Sequence, residues 1–295
     1  MGKASIPVYD ICTIDRRSQQ DLLVEELKPY LEKHYHSLHR PHRHSFYHLV
    51  LFTGGQGEHT IDFEKFPVKP FQAYFMAPGQ VHSWHFGAGV DGYIVHFNES
   101  LFTTFLQNSQ YLERFHFFRG NADDSVCQLP PEVHAQAVDL FKTMLEETGK
   151  GAGQNLDLIR LKLLEFFMLT ERSCSARKEK NIPPQKLLLL RSFRQMIEKH
   201  FRTTRLPKEY AGLLYITPNH LNALCQDLLG KTAGDLIRDR VLLEAKRLLT
   251  NADMTITEIA YELNFQDNSY FNRFFKKNTG LTPDEFRKNF IHQKS

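Results

Sequence analysis

Cysteine is scarce in this chain: Cys12, Cys127, Cys174 and Cys225 are scattered, with no C-x-x-C pair and no zinc-ligand spacing. Neither a disulfide scaffold nor a structural zinc site is implied by that pattern, which suits a reducing compartment. Long apolar runs are missing too. No stretch approaches the roughly 20 residues that span a bilayer, and Met1 to Asp10 lacks an apolar core behind basic residues, so the expectation is a cytoplasmic chain with no membrane partner. Walker loops, G-x-G-x-x-G, G-x-S-x-G and H-E-x-x-H are absent. That removes the nucleotide-binding, serine-hydrolase and zinc-protease signatures, and neither enzymatic activity nor a cofactor is expected.

What is present is ordinary globular material, 295 residues with 41% hydrophobic and 24% charged side chains. That length suits two domains of about 100 to 150 residues each. Charge is divided unevenly: residues 1–183 hold 19 Lys and Arg against 22 Asp and Glu, whereas residues 184–295 hold 18 against 12. A basic module joined to a slightly acidic one fits a phosphate-bearing partner, although mildly basic domains are common.

From Ser45 to Phe97, short aromatic and β-branched runs alternate with Gly54-Gly55-Gln56-Gly57 and Pro78-Gly79. The pattern predicts an antiparallel β-barrel or sandwich. Beyond Asn98 a short helix is expected over Ser100–Asn108, then two amphipathic ones. The first, about Pro131–Glu147, places Ala137, Leu140, Phe141 and Met144 on one face; the second does so with Leu156, Ile159, Leu163 and Phe166. Such a helical hairpin packs on the β-domain, forms a homodimer, or does both. Ser173 to Pro184 is polar and ends in two prolines, so it reads as a linker. The division is then 1–172, linker 173–184, and an all-α domain at 185–295, an α+β two-domain chain.

The C-terminal helices are punctuated in a repeated way. One helix-turn-helix is expected at about 206–229, its second helix opened by Thr217-Pro218, and another at about 255–278, with Asn264 at a turn that needs a left-handed residue. Outward positions are Asn219, His220, Asn222, Ala223 and Gln226 in the first unit, and Asn268, Ser269, Asn272, Arg273 and Lys276 in the second. Arg and Asn can bond bidentately to guanine and adenine edges, and Ser or Lys can hold phosphates. One such helix is more often a solvated face of a bundle; two copies reverse that preference. A continuous helix from Ala233 to Thr250 would span roughly 27 Å and could set the units near the 34 Å repeat of successive major grooves of double-stranded DNA.

Ile256-Thr257-Glu258-Ile259-Ala260, Asn264-Phe265, Ser269-Tyr270-Phe271-Asn272-Arg273-Phe274-Phe275-Lys276-Lys277 and Thr279-Gly280-Leu281-Thr282-Pro283 closely resemble the signature of the AraC/XylS family of transcriptional regulators. Thr217 to Leu221, Gly230-Lys231-Thr232, Arg240, Ala245 and Leu248-Leu249 resemble it as well. The resemblance implies a double helix-turn-helix domain binding promoter or operator DNA, a small-molecule effector of unknown identity held by a cupin-like domain, and RNA polymerase as a partner if the protein activates. The chain departs from the family where Ala223, Gln226 and Asp227 replace frequent basic residues, and where Asn264 replaces Gly. No Lys or Arg lies between Lys208 and Lys231. The second unit, centred on Arg273 and Lys276, is therefore expected to supply more of the phosphate attraction.

Residues 1–183 hold 12 of the 15 histidines, and His42, His44, His48 and His82 resemble the H-x-H pattern of cupin barrels, with His48 where a Glu would be expected. Two imidazoles at i and i+2 on a strand share a face and, with a third, could hold iron, zinc or manganese. The preferred reading is a metal-free small-molecule pocket lined by His42, His44, His48, His82 and Trp84, with Phe46 and Phe75 on the same face; a slip of one residue would invert those faces. A metal-dependent cupin enzyme with a DNA-binding tail and a constitutive DNA-binding protein are the competing readings.

Overall fold

The computed structural model describes residues 6–14, 21–107, 111–120, 122–151, 155–178, 183–250 and 254–292. The chain divides into two compact units, Pro7–Lys180 and Asn181–Ser295. The first begins with β1 (Val8–Tyr9), α1 (Ile11–Ile14), β2 (Leu22–Glu26), α2 (Leu27–Leu38) and β3 (His42–His44). It continues through β4 (Tyr47–Gly54), β5 (Gly57–Ile61), β6 (Glu64–Val68), β7 (Gln72–Met76), β8 (Val81–Phe86) and β9 (Asp91–Phe97). It closes with α3 (Ser100–Leu106), β10 (Val126–Gln128), α4 (His134–Thr148) and α5 (Leu156–Lys178).

The expected cupin-like barrel does not form. The strands make two open five-stranded sheets, one in the order β1-β3-β8-β5-β6 and the other β10-β7-β4-β9-β2. The outer strands explain why the sheets stay open. β1 and β10 are only two and three residues long, too short to carry a closing ladder, and β6 contains Pro67, which offers no N–H at a sheet edge. Nor is the pairing wholly antiparallel, since Val8 and Tyr9 run parallel to Arg43 and His44.

The strand period sorts the side chains of the second sheet onto two faces. Tyr47, Leu49 and Leu51 of β4, with Val95 and Phe97 of β9, belong to one core with Phe141, Ile159, Leu163 and Phe166 of α4 and α5. Val50, Phe52 and Ile94 belong to another, shared with Ile61 and Trp84 of the first sheet. The helical hairpin thus covers one face and the first sheet the other. Phe75 falls on the helical side, stacked on Phe117 at 3.8 Å between centroids, so its expected place in the pocket is corrected. α5 continues through Ser173 as far as Lys178, and residues 179–182 of the expected linker lie outside the described residues.

The second unit is all-helical: α6 (Pro184–His200), α7 (Pro207–Leu213), α8 (Pro218–Leu229), α9 (Ala233–Leu249), α10 (Ile256–Glu262), α11 (Asn268–Thr279) and α12 (Pro283–His292). Phe193, Tyr210, Leu221, Cys225, Ile237, Val241, Ile259, Phe271 and Phe275 form one core through it. On α9, Glu244 is flanked by Arg240 at 3.0 Å and Arg202 at 3.2 Å, and the paired charges hold its carboxyl below the usual range against the opposing effect of burial. No helix among the described residues is long and apolar enough to cross a membrane.

Candidate functional site

The two helix-turn-helix units are built from the same local rules. α7 ends on Tyr215 at φ 56°, and the Ile216 N–H donates to the Ala211 carbonyl at 3.0 Å. α10 ends on Asn264 at φ 56°, and the Phe265 N–H donates to the Ala260 carbonyl at 2.9 Å. These are left-handed turns satisfying carbonyls at a helix end. Gln266 lengthens the second turn by one residue relative to the first, after which Thr217 and Asp267 cap the next helices, accepting from the N–H of His220 at 3.1 Å and of Tyr270 at 2.6 Å. Gly230 and Gly280, both at positive φ, end those helices, and the Thr232–Asp235 and Thr282–Glu285 pairs open α9 and α12.

Asn adopts a left-handed backbone at little cost through its short polar side chain, whereas Tyr adopts it only under strain. Tyr215 is 96% exposed and loses no packing if removed. Tyr215→Gly is accordingly expected to stabilise the chain by about 0.5–1 kcal/mol, after allowing for the entropy of glycine in the unfolded state. Urea denaturation checks this, and an unchanged or lower midpoint would contradict it.

On α8 and α11 the structure separates residues that the sequence could not. Asn219, His220 and Gln226 are exposed, as are Ser269, Arg273 and Lys276. Asn222 is half-buried and its Oδ1 accepts from the Ala233 N–H at 3.0 Å, tying α8 to the start of α9. Asn272 and Asn268 are also half-buried, with the Asn272 Nδ2 donating to the Asn268 carbonyl and Oδ1, each at 2.8 Å. Tyr270 is 55% exposed at the place His220 holds in the first unit, and the sequence reading does not include it. Aligning the two copies at their caps, Thr217 and Asp267, brings the two positions into register.

Much of the basic excess is committed internally. Lys186 pairs with Asp227, Lys231 with Asp239, and Arg202 with Glu262. Arg205 lies over the Phe265 ring at 4.2 Å and bonds the Leu263 carbonyl, while Arg287 donates to the Leu249 carbonyl at 3.1 Å. Arg273, Lys276 and Lys277 are exposed and show no ion pair among the described residues. The unneutralised positive charge of this face therefore sits on α11, while α8 presents amides and an imidazole.

In the first unit His42, His44, His48 and His82 do converge, together with Trp84 and two further histidines that the sequence reading passed over, His59 and His96. All are buried. His42 and His82 face each other across β3 and β8 with ring centroids 4.1 Å apart, and His44 lies 4.6 Å from His82 and 5.1 Å from His48. The His48 Nδ1 is 2.9 Å from the His96 Nε2, and the Trp84 Nε1–H donates to the His59 Nε2 at 3.0 Å. Burial drives all six pKa values down, to about 4 for His42 and about 3 for His59 and His96, with His44, His48 and His82 also well below the ordinary value. Six neutral imidazoles therefore lie in the interior, each able to donate one hydrogen bond and to accept another or ligate.

Two capped helix-turn-helix units on a stiff helix, joined in one chain to a β-rich unit, define a DNA-binding regulator. Residues 210–289 match the family model described as a helix-turn-helix domain, and residues 30–164 match the AraC-like ligand binding domain. The arabinose operon regulatory protein of Salmonella typhimurium (strain LT2) is 26% identical over 255 residues, 82% of this chain and 83% of that protein. That of Escherichia coli (strain K12) is 27% identical over 249 residues, covering 82% and 80%. Among solved structures, the C-terminal domain of AraT, a response regulator from Geobacillus stearothermophilus, is 28% identical, covers 37% of this chain and 88% of that one, and superposes with a TM-score of 0.33. The chain is a sequence-specific DNA-binding transcription factor of the AraC/XylS type, with its helix-turn-helix domain at the C-terminus, and it resembles regulators rather than an enzyme family.

Proposed function

We propose that the protein regulates transcription in the cytoplasm by laying α8 and α11 in successive major grooves of promoter DNA, under control of an effector held in the Pro7–Lys180 unit. The observation that carries the DNA part is the doubled, similarly capped unit, with Arg273 and Lys276 of the second copy exposed and outside any ion pair among the described residues. α9, 17 residues long, spans roughly 26 Å and suits the groove repeat of about 34 Å once helix widths are added. Asn219, His220 and Gln226 are assigned to base edges in the first unit, and Ser269, Arg273 and Lys276 to bases and phosphates in the second. Asn222, Asn268 and Asn272 act mainly by shaping these helices.

The effector site is assigned to His42, His44, His48, His82 and Trp84, which lie among the converging buried polar groups of the unit. An effector acts by binding one state of the regulator more tightly than another. Leu161 and Met168, exposed on α5 at 54% and 47% and seven residues apart, suit a homodimer seam, and RNA polymerase is the further partner of an activator.

Selection from a random duplex pool at fixed salt yields the site, whose affinity is then measured quantitatively. Arg273→Ala is expected to weaken specific binding about 5- to 150-fold, corresponding to 1–3 kcal/mol, and Lys276→Ala to lower the salt slope by about 1. Gln226→Ala should cost less than Arg273→Ala. Failure to enrich any sequence would sink the DNA reading; a larger loss for Gln226→Ala would reverse the assignment of the two units.

A further inference from the structure

We propose that the buried histidine cluster of the Pro7–Lys180 unit binds one divalent transition-metal ion of the zinc and nickel class, through the Nε2 atoms of His42, His44 and His82. The three offer ligand atoms that all lie within 4.8 Å of one another. Strand geometry puts them there: His42 and His44 are two apart on β3 and share a face, and His82 is the register partner of His42 on β8.

The hydrogen bonds around the cluster fix where the lone pairs lie. The His42 Nδ1 sits 2.7 Å from the Arg40 carbonyl, which can only accept, so the proton is on Nδ1 and the lone pair on Nε2. Trp84 can only donate, so the His59 Nε2 it contacts is unprotonated. The His82 Nδ1, 3.1 Å from that same nitrogen, must then carry a proton, again leaving the lone pair on Nε2. Both Nε2 atoms, and those of His44 and His48, are buried and have no hydrogen-bond partner among the described residues. A histidine that only fills a core ordinarily satisfies both nitrogens. Here the outer nitrogens of His42 and His82 are held by a carbonyl and by a second imidazole, as outer-shell partners hold metal-ligating histidines, while their Nε2 atoms are buried and unsatisfied.

Neutral imidazoles suit zinc, nickel, copper and iron(II), and bonds of about 2.0–2.1 Å require nitrogens about 3.3 Å apart, so binding draws the rings together by up to about 1.5 Å. Three neutral ligands leave a coordination position open, which water or the donor atom of an effector fills; the His48 Nε2 is the further imidazole at hand. The assignment deepens the effector reading and rests on it for the choice of site. The sequence pattern alone favours a metal-free pocket, and the orphaned lone pairs reverse that preference.

Tag-free full-length protein, stripped of metal and titrated with Co²⁺ or Ni²⁺, tests the proposal. Trp84 is the chain's single tryptophan and its ring centroid is 5.7 Å from that of His82, so its fluorescence should quench to an endpoint of one ion per chain. His82→Gln should lower the affinity more than about 100-fold, beyond the 10- to 100-fold typical of outer-shell changes, whereas His85→Gln, exposed on the same strand, should leave it unchanged. X-ray absorption of the zinc-loaded wild type counts imidazoles without depending on any variant. Three or four support the site, and two or fewer, or the lack of a stoichiometric endpoint, overturn it. Affinity for selected DNA with and without Zn²⁺ is scored separately: stoichiometric binding at these residues that leaves DNA affinity unmoved keeps the metal site and refutes the cluster as the effector site for this ion.

Discussion

Metal-free protein is expected to lose the fold of its Pro7–Lys180 unit as the pH falls from 6.5 to about 5. The folded-state pKa values of the six buried histidines lie below the ordinary 6.5, at about 4 for His42 and about 3 for His59 and His96. Below pH 6.5 the unfolded chain therefore binds protons that the folded chain refuses. Stability from this source is complete above 6.5 and declines as the pH drops toward the folded values. At pH 5 a histidine held this far below its ordinary value withdraws on the order of 2 kcal/mol, a sizeable share of the stability of a typical domain. His44, His48 and His82 act in the same direction and repel one another once any is charged.

The groups facing the cluster do not offset this. Tyr30 and Tyr74 pack against His96 and His59 with their own pKa values raised, and His34 adds a like charge toward His96. The buried carboxylate of Asp62 accepts from Gln80 at 2.8 Å and the Val81 N–H at 3.2 Å. Trp84 emission reports the transition directly, because the second unit contains no tryptophan. A red shift between pH 6 and pH 5 is expected, while far-UV helicity from the second unit persists. Emission that stays blue down to pH 4.5 would show that these imidazoles are not buried as described.

The C-terminal unit was legible in the sequence because its information is local. Thr217-Pro218, Thr232 with Asp235, Thr255 with Glu258, and the glycines at 230 and 280 each state a helix boundary within four residues. The repeat then supplies the tertiary reading, and helical periodicity identifies Phe271 and Phe275 as interior. What the sequence hid was the second use of a side chain. Asn222, expected to read bases, also accepts the Ala233 N–H on its side-chain carbonyl once α9 folds back. Arg205 and Arg287 count as basic charge until carbonyls of α10's end and α9 claim them.

The β-rich unit was harder because strand partners are distant and a shift of one residue exchanges faces. The runs over β4, β7 and β9 were visible, yet nothing local says that His96 faces His48 across β4 and β9, or that His59 reaches His82 from β5. The same ambiguity put Phe75 in the pocket and allowed a closed barrel, where edge lengths and Pro67 decide for open sheets. Elements before His42, including α2 with the buried Tyr30, carry weak patterns and went unread.

Gly92→Ala is expected to destabilise the first unit by about 4 kcal/mol or more, one of the largest effects a single methyl group can have. A Cβ at Gly92 would meet the Leu51 carbonyl oxygen at 2.0 Å and the Phe52 Cα at 3.0 Å, both backbone atoms that no rotamer change can move. The residue stands where β9 pairs β4 and the register shifts between Phe52 and Gly54, a bulge that presses the two backbones together. β4 and β9 are inner strands of their sheet and carry the His48–His96 pair, so relief by separating them would loosen the histidine cluster as well as the ladder. Gly89→Ala supplies the comparison, because Gly89 has φ 78° with nothing within 4 Å of its Cβ position. It should cost only the left-handed backbone term of about 1–2 kcal/mol. Thermal unfolding followed by Trp84 emission should place Gly92→Ala roughly 10 °C or more below wild type, and Gly89→Ala a few degrees below. Equal shifts for the two variants would mean that backbone dihedral strain, rather than the close approach of β4 and β9, is what glycine relieves at position 92.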